Sequence, residues 1–191
     1  MKNRIVLYHS GTGNNAFLAK QIAEALDADL GPLQPRVSGT GLLYLCSLLK
    51  WGCGIRPTAS DLEAYDEVVI VGPVWGGLLI APLRQAIKRS VKAERPVHFA
   101  ICCGTSDDHK DHRYGYAQVL REAEKAGGGY VKTAAAFPIG LALPAGSPQE
   151  EDDLMKVRLN ADNYNGAMKK RVGQFLEQIE QVAIPKTHPA V

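Results

Sequence analysis

The residues of this chain best suited to chemistry lie in one short stretch, Ser10-Gly11-Thr12-Gly13-Asn14-Asn15. The apolar segment Ile5-Val6-Leu7-Tyr8 leads into it, and an apolar-periodic run, Phe17, Leu18, Ile22 and Leu26, leads out. The pattern predicts a strand, a tight loop and a helix that starts at Asn14 or Asn15. Two glycines let backbone N–H groups turn inward, and the Ser and Thr hydroxyls add donors. The helix start contributes unpaired N–H groups and the positive end of its dipole. No cation stands in the loop. A Walker loop would place Gly-Lys-Ser/Thr after its glycines, and a dinucleotide fingerprint would place a third glycine where Ala16 falls. What remains is a cradle for a phosphate monoester held by amides and hydroxyls.

Such a cradle needs a frame, and the rest of the chain supplies one. A strand is expected over 3–8, a helix over 14–27, a weak second strand over 28–33 and a helix in the 39–50 region. Residues 67–72 are nearly all apolar, as a central strand buried on both faces should be. Pro82 suits the first turn of a helix in which Leu83, Ile87 and Val91 recur at i, i+4 and i+8. A fourth strand follows over 97–103, then a helix marked by Tyr116, Val119, Leu120 and Ala123 and ended by Gly127-Gly128-Gly129, then a fifth strand over 130–138. Met168, Val172, Phe175, Leu176 and Ile179 stripe a C-terminal helix, expected to begin near Glu150 with room for a break over 160–166. Strands alternating with helices specify an α/β, doubly wound, five-stranded parallel sheet with helices on both faces.

At 191 residues and 46% hydrophobic, the chain fits one domain with a sizeable core, expected over 1–183, followed by a loosely held tail over 184–191. The net charge is only +2 and the basic residues are scattered, so no footprint for nucleic acid is present. Lys2, Asn3 and Arg4 lead straight into a strand, leaving no signal-peptide core, and no apolar run reaches the roughly 18 residues of a membrane span. A cytoplasmic location is the expectation. Cys46, Cys53, Cys102 and Cys103 then read as reduced, buried thiols. Adjacent cysteines bridge only with strain, and the Cys46/Cys53 spacing matches no cluster-ligand pattern.

In a doubly wound sheet, ligands bind outside the carboxyl ends of the strands, so the loops after strands one, three and four should converge. The second of these is Gly72-Pro73-Val74-Trp75-Gly76-Gly77, with an indole at its tip that could line a site or simply pack. The third is Cys103-Gly104-Thr105-Ser106-Asp107-Asp108, small and polar, followed by His109, His112, Tyr114 and Tyr116. A flat ring needs aromatic walls, which Trp75 and either Tyr114 or Tyr116 could supply. The run Asp107-Asp108-His109-Lys110-Asp111-His112 holds metal-capable groups, yet no second ligand cluster matches it and no metal is expected. A solvated charged face is the plain alternative; holding a substrate, or proton donation by a His, is the functional one.

Ser10-Gly11-Thr12-Gly13-Asn14 resembles the flavodoxin phosphate-loop pattern Thr/Ser-x-Thr-Gly-Asn-Thr, and Gly72-Pro73-Val74-Trp75-Gly76-Gly77 resembles the second flavin loop of that family. The likeness covers most of the chain and implies strand order 2-1-3-4-5 and FMN as cofactor. On that likeness Ser10, Gly11, Thr12, Gly13 and Asn14 would hold the phosphate. Pro73, Val74, Trp75, Gly76 and Gly77 would flank the isoalloxazine near its N5 edge. Cys103, Gly104, Thr105 and Ser106 would meet its pyrimidine side. Asn15 departs from the usual Thr or Ser, leaving an amide in place of a hydroxyl.

The resemblance implies a redox protein whose flavin carries the chemistry, with no protein nucleophile or catalytic residue. The favoured reading is an oxidoreductase passing electrons from NAD(P)H or a protein donor to a quinone-like acceptor. An electron carrier without its own substrate, and a non-catalytic module that binds another phosphorylated ligand or assembles with a partner, stand beside it. Electron-shuttling flavodoxins are typically acidic, whereas this chain is near neutral with a pI of about 8.3. An apolar insert at about 35–60, centred on 41–51, adds four open roles: a buried second helix, a homodimer contact, a hydrophobic wall beside the flavin, or a membrane-surface anchor.

Overall fold

The structure is a computed structural model that describes residues 3–37, 39–144, 147, 151–164 and 166–183, so the expected tail over 184–191 lies outside the described residues. In chain order the elements are β1 (Arg4–Tyr8), α1 (Asn14–Leu26), β2 (Asp29–Pro32), β3 (Gln34–Pro35), α2 (Thr40–Leu48), β4 (Ile55–Arg56) and α3 (Ala59–Leu62). There follow β5 (Glu67–Pro73), α4 (Ala81–Lys92), β6 (Val97–Cys103), α5 (Tyr116–Gly127), β7 (Val131–Pro138), α6 (Glu151–Leu154) and α7 (Gly166–Ala183).

Five strands form one parallel sheet in the order β2-β1-β5-β6-β7, which is the expected 2-1-3-4-5 order once the two short insert strands are left aside. The side-chain period of two decides what each face buries. Ile5, Leu7, Val68, Ile70, Val97, Phe99 and Ile101 face α4 and α5, packing on Leu83, Ile87 and Val119. Val6, Val69, Val71, Ala100 and Cys102 face α1 and α7, packing on Leu18, Ile22, Met168, Val172 and Phe175. Each fully buried side chain of this size contributes about 1.5–3 kcal/mol, so the continuous apolar runs of β5 and β6 fix the sheet's centre. At its amino end, buried Arg4 donates to Glu67 at 2.8 Å and to Glu180 of α7 at 2.5 Å.

The insert holds two features that apolar periodicity did not reveal: β3 and β4 pair antiparallel, and Thr58 caps the short α3 in a reciprocal capping box with Asp61. Two arginines of α4 fasten the insert to the frame. Arg84 donates to the Ser47 carbonyl at 3.2 Å, and Arg89 donates to the carbonyls of Ile55 and Pro57. The Ser47 hydroxyl accepts from the Ala81 N–H at 2.8 Å. α2 therefore buries Leu43, Cys46 and Ser47, and leaves its opposite face to solvent.

At the carboxyl end a helix starts near Glu150 and a break follows, as expected, but the break opens earlier than 160: α6 stops at Leu154, a looped segment follows, and α7 begins at Gly166. Asn160 and Asn163 account for part of this. The Asn163 side chain accepts from the Asn160 N–H at 2.8 Å, and the Asn160 side chain accepts from the Asp162 N–H at 2.9 Å. Such local bonds compete with a helical ladder.

Candidate functional site

β5 and β6 run about two residues past the end of β1: Tyr8, the last residue of β1, pairs with Val71, and Pro73 with Cys102. The loops that leave them open side by side at the carboxyl edge of the sheet, where the strand order reverses between β1 and β5.

The first loop turns at Gly13, whose φ of 96° suits a residue without a side chain. The Gly13 N–H donates to the Ser10 hydroxyl at 3.1 Å, so Ser10 shapes the loop from within. No side chain caps α1, and its first amides are left for an external acceptor. The two asparagines have structural partners that sequence spacing did not suggest. Asn15 is 3% exposed and its Oδ1 accepts from the Cys102 N–H at 3.1 Å, tying the loop to β6. Asn14 accepts from the Leu159 N–H at 2.9 Å and donates to the Val157 carbonyl at 3.1 Å, tying the loop to the segment after α6.

From the second loop, Pro73, Val74 and half-buried Trp75 line a cleft with Gly11, Thr12, Asn14 and Asn15. Trp75 meets His9 edge to face, with ring centroids 6.1 Å apart. Burial lowers the pKa of that imidazole, leaving it neutral at pH 7. Gly76 and Gly77 do not line the cleft. Gly77, at φ 74°, admits the backbone of the third loop: a Cβ there would fall 2.8 Å from the Arg113 carbonyl oxygen.

Cys103 and Gly104 of the third loop complete this first cleft, of about 110 Å³. Gly104, Thr105, Ser106, His109, His112 and Tyr114 line a second one of about 290 Å³, and the two share Gly104 and Leu154. Of the two candidate tyrosines only Tyr114 lines a cleft. Tyr116 is buried, because its hydroxyl donates to Asp107, which also accepts from Arg171 of α7 at 2.6 Å. The Arg171 hydrogen bond, aided by Tyr116, holds Asp107 below the usual carboxylate range, while burial and Asp107 together push the Tyr116 phenol up. Tyr116 is thus a strut for the loop and no ring wall. Burial also pushes the Cys102 thiol up to about 12, and Cys103 higher still, so both are protonated at neutral pH. All four cysteines are free and buried.

Residue order did not point to Leu154 and Met155, which cover the first cleft; the Met155 sulfur lies 3.3 Å from where a Gly104 Cβ would stand. The Asn14 anchor that brings their segment over the site spans 143 residues, and no local pattern encodes such a contact. Among the described residues, no three His, Cys, Asp or Glu side chains gather closely enough to hold a metal ion, and no helix is long and apolar enough to cross a membrane.

No family profile matches the chain, and no curated protein matches it by sequence. Solved structures do match. A flavoprotein in complex with FMN from Lactobacillus acidophilus superposes with a TM-score of 0.55 at 18% identity, over 71% of this chain and 93% of that one. The fold is that of the flavodoxins. Oxidised flavodoxin 2 from Bacillus cereus matches 94% of this chain and 99% of its own at 13% identity and a TM-score of 0.50. The Streptococcus pneumoniae TIGR4 flavodoxin matches 94% and 98% at 12% identity and 0.52.

Proposed function

We propose that the chain binds FMN at the carboxyl edge of its sheet and works as a redox protein, in the favoured form an oxidoreductase passing electrons from NAD(P)H or a protein donor to a small quinone-like acceptor. One observation carries the proposal: a cation-free cradle at the start of α1 continues, through Gly104 and Leu154, into a second cleft walled by Tyr114 and two histidines. The donor set fits a phosphate monoester. No carboxylate lines the first cleft, Gly11 leaves open space at its Cβ position, and Thr12 stands in the lining. The FMN complex of the Lactobacillus protein, which shares the fold, supports the same ligand.

In this proposal Thr12 and the amides at the start of α1 bind the phosphate, and Ser10 holds the loop in shape. Trp75 orients the ring from one side, with neutral His9 behind it adding no charge. Tyr114 and the 104–106 backbone limit it on the other. Bound FMN supplies the one- and two-electron chemistry. The buried thiols of Cys102 and Cys103 stay protonated and keep that wall apolar. The second cleft leaves room for an acceptor, with His109 and His112 at its rim as proton donors. The first cleft is smaller than the roughly 300 Å³ at which ligand pockets begin, so in this proposal Met155 and its segment would have to move outward to admit the cofactor.

Titration of FMN into apoprotein, followed by loss of flavin fluorescence, tests the cofactor; Thr12→Val should weaken binding by about tenfold or more, the loss of one hydrogen bond to a charged group. Protein that takes up no FMN ends the proposal. Anaerobic mixing of the loaded protein with NADH or NADPH and a soluble quinone tests the reaction, and the lack of any direct oxidation of NAD(P)H leaves a protein-fed reductase or a carrier.

A further inference from the structure

Six of the ten large hydrophobic side chains exposed among the described residues fall within 42–51: Leu42, Tyr44, Leu45, Leu48, Leu49 and Trp51. Leu42, Leu45 and Leu49 recur at i, i+3 and i+7, and Tyr44 and Leu48 at i, i+4, so they form one outward face of α2 and its last turn. Trp51, 61% exposed, continues the patch into a groove of about 310 Å³ that it shares with Lys50, Lys88 and Lys92. Arg84 is engaged by the carbonyls of Ser47 and Leu79, Arg89 by those of Ile55 and Pro57, and Glu122 of α5 pairs with both Arg84, at 3.4 Å, and Lys50, at 4.0 Å, which leaves Lys88 and Lys92 as the remaining cations of the groove. No carboxylate lines the groove. The sequence alone showed an apolar insert without a clear polar face; the fold supplies that face from α4.

We infer that the outward face of α2 docks on an anionic phospholipid bilayer, with its leucines and Trp51 in the acyl boundary and Lys88 and Lys92 at the headgroups. Two properties of the face favour lipid over a protein. A protein interface carries about one hydrogen bond per 100–200 Å², yet over residues 42–49 this face offers a single side-chain polar atom, the Tyr44 hydroxyl. Leucine is also under-represented among the residues that anchor protein interfaces, whereas exposed Leu and Trp beside lysines are what an interfacial helix presents to a membrane. A second copy is disfavoured because a twofold contact centred on the groove would set lysine against lysine. The patch reaches the second loop just past Trp75, since the Tyr44 hydroxyl lies 3.8 Å from where a Gly76 Cβ would stand. Delivery of a lipid-soluble quinone to the candidate site rests on the proposed function; lipid binding itself does not.

The test is sedimentation of the full chain, with and without FMN, with phosphatidylcholine vesicles and with equal mixtures of phosphatidylcholine and phosphatidylglycerol. Docking predicts cosedimentation with the mixed vesicles, a blue shift of Trp emission that Trp51→Phe abolishes, and no competition from millimolar glycerol phosphate. Leu45→Ser/Leu48→Ser and Lys88→Glu/Lys92→Glu should each lower binding at least about tenfold, with unchanged far-UV dichroism and FMN uptake. Protein that stays in the supernatant with mixed vesicles overturns the inference, as does binding indifferent to both double variants, or a dimer in ultracentrifugation that Leu45→Ser/Leu48→Ser dissociates without any vesicle binding. Because vesicle binding is read on apoprotein too, its failure is distinct from a failure to take up FMN.

Discussion

The Leu159 N–H donates to the Asn14 side-chain oxygen at 2.9 Å, joining the first residue of α1 to the segment that covers the cleft. With the companion bond from Asn14 to the Val157 carbonyl, this makes one side chain the fastener of the cover. Asn14→Ala should lower stability by about 1–3 kcal/mol and speed FMN association, because the cover opens more readily. Hydrogen exchange at the Leu159 amide and stopped-flow flavin quenching check the two effects.

Gly77 is where the second and third loops touch. In Gly77→Ala the new methyl would meet the Arg113 carbonyl at 2.8 Å while φ stays at 74°. A loss of about 1–3 kcal/mol is expected, with weaker FMN binding as Tyr114 is displaced. Urea unfolding and flavin titration measure both.

Asp107 is held below its ordinary pKa, first by Arg171 and then by Tyr116. A depressed carboxylate adds stability that is present above its unfolded value, 3.8, and disappears as pH falls through its folded value. The melting temperature of Asp107→Asn should therefore lie below that of the parent at pH 6, and the gap should close as pH falls below 3.8 and through the folded value. Because Asp107 is about half exposed, the gap should shrink in high salt.

Cys102, pushed up to about 12, and its buried neighbour Cys103 should resist a thiol reagent in the native protein at pH 8. All four thiols should react once urea unfolds the chain, and the reaction progress at 412 nm with a chromogenic disulfide separates the two states.

The frame was legible because β5 and β6 are apolar at nearly every position, and α4, α5 and α7 carry helical stripes; buried area leaves that mark on any sequence. The tight turn before α1 was legible too, since Gly13 and the Ser10 hydroxyl are local necessities of it. Tyr116 was misassigned because a tyrosine that walls a ring and one that props a loop have the same composition, and only the Arg171–Asp107–Tyr116 chain distinguishes them. Leu154, Met155 and the lysine rim from α4 were hidden for another reason. Each acts through a partner far away in the chain, and periodicity reports only neighbours.

The bond from the Cys102 N–H to Asn15 Oδ1 has a consequence for selectivity. It rivets the proposed anion-binding end of the site to the strand from which the opposite wall departs, so the span between them is fixed as in a calliper. A ligand is then graded by its length. One whose phosphate and ring stand the right distance apart engages both jaws, and a shorter or longer analogue forfeits one, whatever its chemistry at either end.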